Sequence, residues 1–232
     1  MAKEELFIGV DDAGRGPVIG PMVIAGVLLD KNAAERFKKL GVKDSKLLLP
    51  GVRERLAKEI KTFSISHEIV KILPEEIDSA VQSKTFNLNK LEAAKMGYVI
   101  NTLSQSLPKD AKVTVYVDCP STNIPAWRNV LMGFIEKKDM NFKVEHKCDL
   151  NHVECSAASV LAKVTRDEEV EKIKKWIKED IGSGYPADPV TIEFLKKNMK
   201  KYEDSGIFRK SWQTFKNHDS KENKKTKQKT LF

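Results

Sequence analysis

The stretch VDDAGRGPVIGP, residues 10–21, restricts the fold more than any other part of the chain. It lies between two apolar runs, residues 6–8 and 22–29, and contains several glycines and prolines. Apolar runs separated by such residues are typical of two strands joined by a sharp turn. The pattern therefore predicts a hairpin that carries two adjacent carboxylates, Asp11 and Asp12, at its mouth.

The glycine-rich turn does not match the common phosphate-binding loops. A dinucleotide fingerprint requires a third glycine at the position of Ile19 and then a helix, whereas a strand-like run follows here. A Walker loop requires Gly-Lys-Ser/Thr, but Gly20 precedes Pro21. The carboxylates of the turn must therefore be explained by another kind of site.

The length and charge of the chain indicate one substantial domain with a basic tail. A chain of 232 residues is long enough to bury a real core. Of the net charge of +8, half lies in residues 216–232, which hold six Lys against two acidic residues. We therefore predict a catalytic domain over 1–215 and a disordered tail over 216–232. The positive charge favours a polyanionic partner.

The apolar stretches are too short for a membrane protein. The longest, residues 17–29, contains two prolines, which predicts neither a membrane span nor a signal peptide. We expect a soluble, cytoplasmic chain. The three cysteines form no Cys-x-x-Cys pair, so a disulfide framework is not predicted. A zinc site from His146, Cys148, His152 and Cys155 matches no common ligand spacing, and buried thiols are the favoured prediction.

The order of predicted elements indicates an α/β fold. Strand-like runs occur at 6–10, 22–29, 63–72, 113–118 and 142–148. Helical periodicity occurs at 86–104 and 152–180, and Asp188-Pro189 is a typical start for a helix continuing to Tyr202. Three early strands, followed by two strands that each precede helical sequence, predict a mixed sheet with helices packed on it.

Two further acids follow predicted strands. Asp118 ends the run at 113–118, and Asp149 follows the run at 142–148. Ligands of open α/β sheets collect beyond the carboxyl ends of strands, so Asp11, Asp12, Asp118 and Asp149 are expected to converge. Four clustered carboxylates repel one another unless divalent cations bind them, and Mg²⁺ or Mn²⁺ prefers such oxygen ligands. Taken singly, Asp118 is equally explained as a turn residue and Asp149 as a helix cap.

Several long motifs, in a fixed order, resemble one family. They are GVDDAGRGPVIGPMVIAG, VKDSKLL, VYVDCPSTN, KCDLNHVECSAASVLAKVTRD and GSGYPADP. The chain resembles ribonuclease HII in its archaeal form over most of residues 6–213. The resemblance implies a ribonuclease H-like mixed five-stranded sheet, with three antiparallel and two parallel strands. It also implies flanking helices and a C-terminal helical portion.

The resemblance implies an activity and its metal ligands. The family cleaves the RNA strand of RNA/DNA hybrids and single ribonucleotides embedded in duplex DNA, leaving a 3'-hydroxyl and a 5'-phosphate. Its acidic tetrad falls on Asp11, Asp12, Asp118 and Asp149, with Mg²⁺ or Mn²⁺ as cofactor and Asp11 as the expected bridging ligand. The family has Glu at the second place, so Asp12 is a departure that shortens the side chain by one methylene.

The resemblance also implies substrate contacts. Gly14, Arg15 and Gly16 correspond to the family's contact with the 2'-hydroxyl, which distinguishes RNA from DNA. Tyr185 resembles the tyrosine that stacks on the sugar of the following deoxynucleotide, although a loop-packing role is the alternative. Lys43 and Lys46 are candidates for phosphate contacts, with solvated surface lysines as the alternative.

Three other functions are weighed against this one. A junction resolvase or integrase would use the same carboxylates without recognising a 2'-hydroxyl. A catalytically inactive nucleic-acid or clamp-binding module would not need all four acids. Ribonuclease HIII carries an additional N-terminal domain, and here the first motif begins by residue 9. We therefore predict a type HII enzyme that acts as a monomer.

The end of the tail contains an abrupt apolar pair. Gln228, Leu231 and Phe232 resemble a sliding-clamp-interacting box, which usually continues to a further aromatic residue. A flexible tail bound to a clamp would raise the local concentration of the enzyme on DNA. We expect weak clamp binding, with a fortuitous ending as the alternative.

Overall fold

The computed structural model describes residues 4–42 and 48–219. Its centre is a five-stranded sheet in the order β3-β2-β1-β4-β5. Strand β1 is antiparallel to β2 and parallel to β4, and β4 is parallel to β5. The strands are β1 Glu5–Ala13, β2 Met22–Asp30, β3 Ser66–Ile72, β4 Lys112–Asp118 and β5 Asn141–Glu145. The hairpin and the mixed sheet predicted from the sequence are confirmed.

Helices lie in both halves of the chain. They are α1 Lys31–Lys39, α2 Pro50–Phe63, α3 Pro74–Gln82, α4 Leu88–Ser104, α5 Ile124–Met132, α6 Cys148–Asn151, α7 Val153–Ile177 and α8 Pro189–Asn198. Helices α1, α2, α3 and α5 were not predicted, because no helical pattern was identified in these parts of the sequence. The prediction of a strand from 63 was wrong by three residues, since α2 occupies Phe63. Residues 213–219 are also helical, so the predicted disorder from 216 is wrong over its first four residues.

The described residues form two compact units. The first, which we call the sheet unit, contains residues up to 13, 23–71 and 88–166. The second, which we call the helical unit, contains residues 14–22, 72–87 and those from 167 onward. The predicted boundary between a catalytic domain and a tail at residue 215 stays a prediction.

Strand β2 forms the centre of the sheet unit. Its apolar residues, from Met22 to Leu29, are inaccessible to solvent, because they are covered on both faces. Phe37 of α1, Leu56 and Ile60 of α2 and Leu161 of α7 belong to the same core cluster. Each such side chain stabilises the fold by about 1.5 to 3 kcal/mol through burial. This core holds β1, which carries Asp11 and Asp12, beside β2.

The helical unit has its own core. Phe194 and Leu195 of α8 pack there with Phe208 and Phe215. Helix α8 begins as predicted, since the Asp188 carboxylate accepts a hydrogen bond from the Val190 N–H and Pro189 opens the helix. It ends at Asn198, earlier than the predicted Tyr202. Across residues 4–42 and 48–219, we find no helix with the length and apolar character required to cross a bilayer.

Candidate active site

The four predicted acids lie on β1, β4 and α6 of the sheet unit. Asp11 and Asp12 lie within β1, opposite Ala25 and Ile24 of β2, so the strand extends past the predicted end at residue 10. Asp118 is the last residue of β4, as predicted. Asp149 lies in α6, and the prediction of a strand up to residue 148 was wrong.

A left-handed residue explains why Asp149 is helical. Lys147 has a φ of 55°, a conformation that extended strands do not adopt, and it forms the N-cap of α6. Strand β5 therefore ends at Glu145, two residues before this turn. The Asp149 carboxylate lies in the first helical turn, where a negative charge is favourable. Of the two predictions for Asp149, an acid at a helix terminus therefore describes its local structure better than an acid at the end of a strand.

The shifted pKa of Asp11 shows that the other three acids lie close enough to interact with it. The Asp11 side chain is only 4% exposed. Burial raises the pKa of its carboxyl well above the usual value, and the charges of Asp12, Asp118 and Asp149 raise it further. A hydrogen bond with the Ser159 side chain acts in the opposite direction. Asp11 is therefore a buried carboxylate whose ionised form is destabilised by three neighbouring acids.

Hydrogen bonds from nearby groups orient two of these carboxylates. The backbone N–H of Asp12 donates to Asp11 Oδ1 at 2.7 Å, and the backbone N–H of Cys148 donates to Asp118 Oδ1 at 2.7 Å. The Ser156 hydroxyl donates to the backbone carbonyl of Asp149. Sequence reasoning missed Ser156 and Ser159 as site residues. The available signal was their spacing, because residues three apart share one face of a helix.

Gly9 allows β1 to approach the first turn of α7. A Cβ at this position would overlap the backbone carbonyl group of Glu154 and lie 2.7 Å from the backbone nitrogen of Cys155. Only glycine permits such a close approach between two backbones. The strand that carries Asp11 is therefore held directly against the helix that carries Ser159.

The chemistry of the four acids fits a divalent cation, because carboxylate oxygens are the ligands of Mg²⁺ and Mn²⁺. In the described part of the chain, no group of three or more His, Cys, Asp or Glu side chains is arranged closely enough to hold a metal ion. The acids thus interact through their charges without forming a closed ligand cage.

The cysteines are buried thiols, as predicted. Cys119, Cys148 and Cys155 are free and inaccessible or nearly so. The sulfurs of Cys148 and Cys155 are in contact, while His146 Nδ1 lies 3.0 Å from the carbonyl oxygen of Cys119. The alternative of a zinc site from these residues therefore has no support in their observed contacts.

The predicted substrate loop lies in the helical unit. Gly14 has a φ of 84°, which strongly favours glycine at this turn. The Val18 N–H donates to the carbonyl of Gly184 at 2.8 Å, which ties the loop to the GSGYPADP segment. A Cβ at Gly16 would lie 3.6 Å from the Tyr185 ring, and Tyr185 is 37% exposed. The structure therefore brings Gly16 and Tyr185 together.

The conformation of the segment around Tyr185 is held by Asp188 and Thr191. Asp188 Oδ2 accepts hydrogen bonds from the Ser183 N–H and hydroxyl, both at 2.6 Å. These bonds lower the pKa of the Asp188 carboxyl to about 2. The Thr191 hydroxyl donates to the Ile181 carbonyl and accepts from the Gly184 N–H. Asp188, predicted only as a helix cap, also shapes the loop that presents Tyr185.

Two residues that sequence reasoning missed contact the carbonyl groups of the substrate loop. The Arg209 side chain is fully buried and donates to the carbonyls of Gly14, Arg15 and Gly20. The Trp212 indole N–H donates to the carbonyl of Gly16 at 3.1 Å. Both lie nearly 200 positions after the loop, so no local pattern indicated the contact.

Five of the predicted site residues lie outside the described residues. Lys43 and Lys46, the candidates for phosphate contacts, are in this group. So are the candidates for clamp binding, Gln228, Leu231 and Phe232. Their roles stay predictions from the sequence.

Comparisons with known proteins agree with the fold and the motifs. The sequence model of the family Ribonuclease HII matches residues 8–215. The Ribonuclease HII of Methanococcus maripaludis strain C6 is 41% identical over 216 residues, which is 92% of this chain and 87% of the relative. The residues that the family model matches include all four acids and the substrate loop.

Solved structures show the same fold. The ribonuclease H2 of Pyrococcus horikoshii OT3 has a TM-score of 0.80 and 36% identity, covering 93% of this chain and 98% of that one. The RNase HII in a complex with PCNA from Archaeoglobus fulgidus has a TM-score of 0.76 and 35% identity, covering 90% and 95%. The sheet is therefore a ribonuclease H-like fold, and the chain belongs to the ribonuclease HII family.

Proposed function

We propose that this metal-dependent ribonuclease H cleaves both the RNA strand of RNA/DNA hybrids and single ribonucleotides embedded in duplex DNA, leaving a 3'-hydroxyl and a 5'-phosphate. The family as a whole cleaves RNA in RNA/DNA hybrids. The observation that carries the proposal is the buried carboxylate of Asp11, whose pKa is raised by Asp12, Asp118 and Asp149. Perturbed pKa values of this kind are typical of catalytic sites.

Asp11, Asp12, Asp118 and Asp149 would hold the divalent cations. When bound, a pair of Mg²⁺ or Mn²⁺ ions supplies activation of water and stabilisation of the leaving oxygen at a phosphodiester. The chain contributes the negative charge that attracts the cations, concentrated at one buried carboxylate. The hydrogen bonds from the backbone N–H groups of Asp12 and Cys148 restrict the orientation of the Asp11 and Asp118 carboxylates.

Gly14, Arg15, Gly16 and Tyr185 would recognise the substrate. The stretch DDAGRG places two of the acids and this loop within six consecutive residues. Glycines at 14 and 16 leave the backbone accessible to a sugar, and a 2'-hydroxyl both donates and accepts hydrogen bonds. The Tyr185 ring beside Gly16 offers a flat surface for the neighbouring deoxyribose. Selectivity for an RNA-to-DNA junction would follow from simultaneous contacts with the ribose and with the neighbouring deoxyribose.

Contacts outside this loop would hold the enzyme on its substrate and at its place of action. Lys43 and Lys46 would contact backbone phosphates of the duplex. Gln228, Leu231 and Phe232 would bind a sliding clamp, supported by the PCNA complex of the relative from Archaeoglobus fulgidus. We further propose a monomeric, cytoplasmic enzyme with a role in DNA replication and repair.

Two other functions are distinguished by their substrates. A junction resolvase or integrase would cut DNA without a 2'-hydroxyl, and the contact between Gly16 and Tyr185 would then have no part in selectivity. A non-catalytic binding module would bind duplexes without cutting them. The electrostatic coupling of four acids at Asp11 favours an enzyme over such a module.

One experiment tests the proposal. Three labelled substrates of identical sequence are incubated with Mg²⁺ or Mn²⁺: an RNA/DNA hybrid, a DNA duplex with one ribonucleotide, and an all-DNA duplex. We expect cleavage of the first two, with 3'-hydroxyl and 5'-phosphate ends and with the cut mapped beside the ribonucleotide. The Asp118→Asn variant, prepared in the same way, serves as the control for contaminating nucleases and is expected to be inactive.

Cleavage of the all-DNA duplex at a similar rate would favour a resolvase or integrase. Binding without cleavage under both metals would favour the non-catalytic module. Cleavage of the hybrid alone would restrict the function to the activity common to the family and contradict the proposed action on single ribonucleotides.

A further inference from the structure

We infer that Arg209 is a positioning residue that sets the direction of the peptide N–H groups in the Gly14-Arg15-Gly16 loop. The inference rests on the proposed function, since it concerns how this loop recognises a 2'-hydroxyl. Arg209 belongs to the helical unit, as does the loop. Its side chain is fully buried, so its guanidinium acts from inside the protein and does not touch substrate.

The guanidinium contacts the loop through several carbonyl groups. Arg209 Nη2 donates to the carbonyl of Gly14 at 2.6 Å, and Nη1 donates to the carbonyl of Arg15 at 2.7 Å. Nε donates to the carbonyl of Gly20 at 3.1 Å, at the far end of the loop. These bonds span seven residues, so one rigid fork holds both ends of the loop.

The geometry of the peptide group converts these bonds into a direction for the N–H groups. In a planar trans peptide, the C=O of one residue and the N–H of the next point in opposite directions. The carbonyls of Gly14 and Arg15 point toward the guanidinium. The N–H groups of Arg15 and Gly16 must therefore point away from it, on the same side of the loop.

Neighbouring residues complete this arrangement. The Trp212 indole N–H donates to the carbonyl of Gly16, whose peptide group has no N–H because Pro17 follows. The Arg209 guanidinium lies 5.1 Å from the centre of the Trp212 ring. Three carbonyls in succession are thus held by Arg209 and Trp212, and the N–H groups of Arg15 and Gly16 point away from the guanidinium.

The position of Arg209 is itself fixed by α3. The Asp78 carboxylate accepts hydrogen bonds from the backbone N–H groups of Lys210 and Ser211, at 2.7 and 2.9 Å. It also accepts a hydrogen bond from the Ser211 hydroxyl. The Arg209 N–H donates to the Val18 carbonyl at 2.9 Å. The backbone on both sides of Arg209 is therefore anchored before its side chain reaches the loop.

The charge of Arg209 adds to its geometric effect. A cation at the carbonyl end of a peptide group polarises that group, which makes the N–H at its other end a stronger donor. Successive N–H groups on one side of a turn form a concave site for an oxygen acceptor. The ligand that fits is the oxygen of a sugar hydroxyl, which approaches closely because Gly14 and Gly16 carry no side chain.

Binding measurements test this role without cleavage. In the Asp118→Asn background, dissociation constants are measured for an all-DNA duplex and for the same duplex with one ribonucleotide. The ratio of the two constants reports preference for the 2'-hydroxyl. We expect Arg209→Met to reduce this preference by about tenfold, which corresponds to the net strength of one hydrogen bond, while affinity for the all-DNA duplex stays unchanged.

Two further variants separate positioning from stability. Asn198→Ala removes the hydrogen bond to Glu179 in the same unit, and we expect it to lower the melting temperature and leave the preference unchanged. Arg209→Lys keeps the charge but loses the fork, and we expect an intermediate preference. If Arg209→Met does not fold, the preference measured for Arg209→Lys tests the inference instead.

An unchanged preference in folded Arg209→Met, or in Arg209→Lys when the first variant does not fold, would overturn the inference. A loss of affinity for both duplexes by the same factor would also overturn it, because the defect would then be general. No preference for the ribonucleotide with Arg209 present would contradict the proposed function and this inference together. A preference that is present, and that the substitutions leave intact, would contradict the inference alone.

Discussion

Burial and the neighbouring acids make the ionisation of Asp11 unfavourable for the stability of the fold. Its folded-state pKa is raised, so the stability associated with its protonated form is fully present below the unfolded pKa. That stability is lost as the pH rises through the folded pKa. Above the unfolded pKa, the burial of Asp11 therefore destabilises the fold, and bound cations would offset this effect.

Replacing Asp11 by Asn is expected to abolish cleavage and to stabilise the protein without divalent metal. The amide keeps the size and an acceptor oxygen but removes the buried charge. At pH 7 the melting temperature should rise by about 2 to 4 °C for each kcal/mol of penalty removed. Calorimetry across pH checks the sign: the gain should shrink as the pH falls toward about 4, where aspartate protonates.

Magnesium provides an independent check on the same variant. Adding Mg²⁺ should raise the melting temperature of the native protein and have a smaller effect on Asp11→Asn. Near-normal turnover in Asp11→Asn would contradict the assignment of Asp11 as a metal ligand.

Asp12→Glu restores the acid that the family usually carries at this place. The backbone of Asp12 is fixed by its N–H bond to Asp11, so the additional methylene changes only the reach of the carboxylate. We expect faster cleavage, most clearly with Mg²⁺, whose octahedral geometry is strict. Steady-state rates in Mg²⁺ and Mn²⁺ measure the effect. An equal or lower rate in both would show that the site is adapted to Asp12.

Tyr185→Phe is expected to keep most of the contact with the deoxyribose, whereas Tyr185→Ala should lose it. If the contact resembles base stacking, its loss costs about 1 to 3 kcal/mol. The value of kcat/KM on the single-ribonucleotide duplex measures the difference. Tyr98→Ala is the matched control, because Tyr98 is an exposed tyrosine of α4. If both substitutions at 185 leave cleavage untouched, Tyr185 only packs in its loop.

At the scale of the elements, the contact between β1 and α7 positions the acids. Gly9 lies two residues before Asp11, and its missing side chain lets the strand reach the backbone of Glu154. The same helix supplies Ser159, whose side chain is hydrogen-bonded to Asp11. A change in the distance between strand and helix would therefore move Asp11 relative to its hydrogen-bonding partner.

Gly9→Ala should separate these two elements. Overpacking of a tight contact costs about 1 to 3 kcal/mol, and a clash between backbones belongs at the upper end of this range or above it. We expect a lower melting temperature and slower cleavage at temperatures where the variant is still folded. Gly51→Ala is the control, because a Cβ there meets no atom within 4 Å. Equal stability of Gly9→Ala and the native protein would contradict the observed packing.

Over the whole chain, the residues proposed for catalysis and those proposed for localisation carry opposite charge. Residues 216–232 carry half of the net charge of +8, while the acids of the sheet unit concentrate negative charge at one place. A basic tail attracts nucleic acid without selecting a sequence, and the proposed clamp-binding end would add a site for a protein partner. Loss of the tail should therefore affect recruitment more than chemistry.

Deleting residues 228–232 tests this separation. Cleavage of a short duplex should be unchanged, because the deleted residues include none of the acids or loop residues. Binding to a sliding clamp, measured by calorimetry with the full-length chain for comparison, should be lost. Stimulation of cleavage by the clamp on a long duplex should disappear with it. Identical clamp binding by both chains would refute the role of this segment.

The hairpin, the mixed sheet and the family were predictable from the sequence alone. Apolar runs and glycine-proline turns are local signals, so β1, β2 and the N-terminus of α8 were predictable, and long motifs identified the family. The signal was insufficient where a single backbone angle decides the structure. Lys147, with its left-handed φ, moved Asp149 from a predicted strand end into α6. Helices α1, α3 and α5 were missed because each has only 9 residues, fewer than the roughly 11 to 18 over which helical periodicity is recognised, and the longer α2 was missed as well.

The residues that support the acids and the substrate loop became apparent only in the folded structure. Arg209 holds the carbonyl of Gly14 across 195 positions of sequence, and Cys155 contacts the carbonyl of Val10 across 145. Gly9 and Glu154 are likewise distant in the chain but in backbone contact. Local propensity contains no information about such pairs, because their energies appear only once the sheet and helices have packed. The four acids and the loop glycines could therefore be identified from the sequence, whereas the groups that orient them could not.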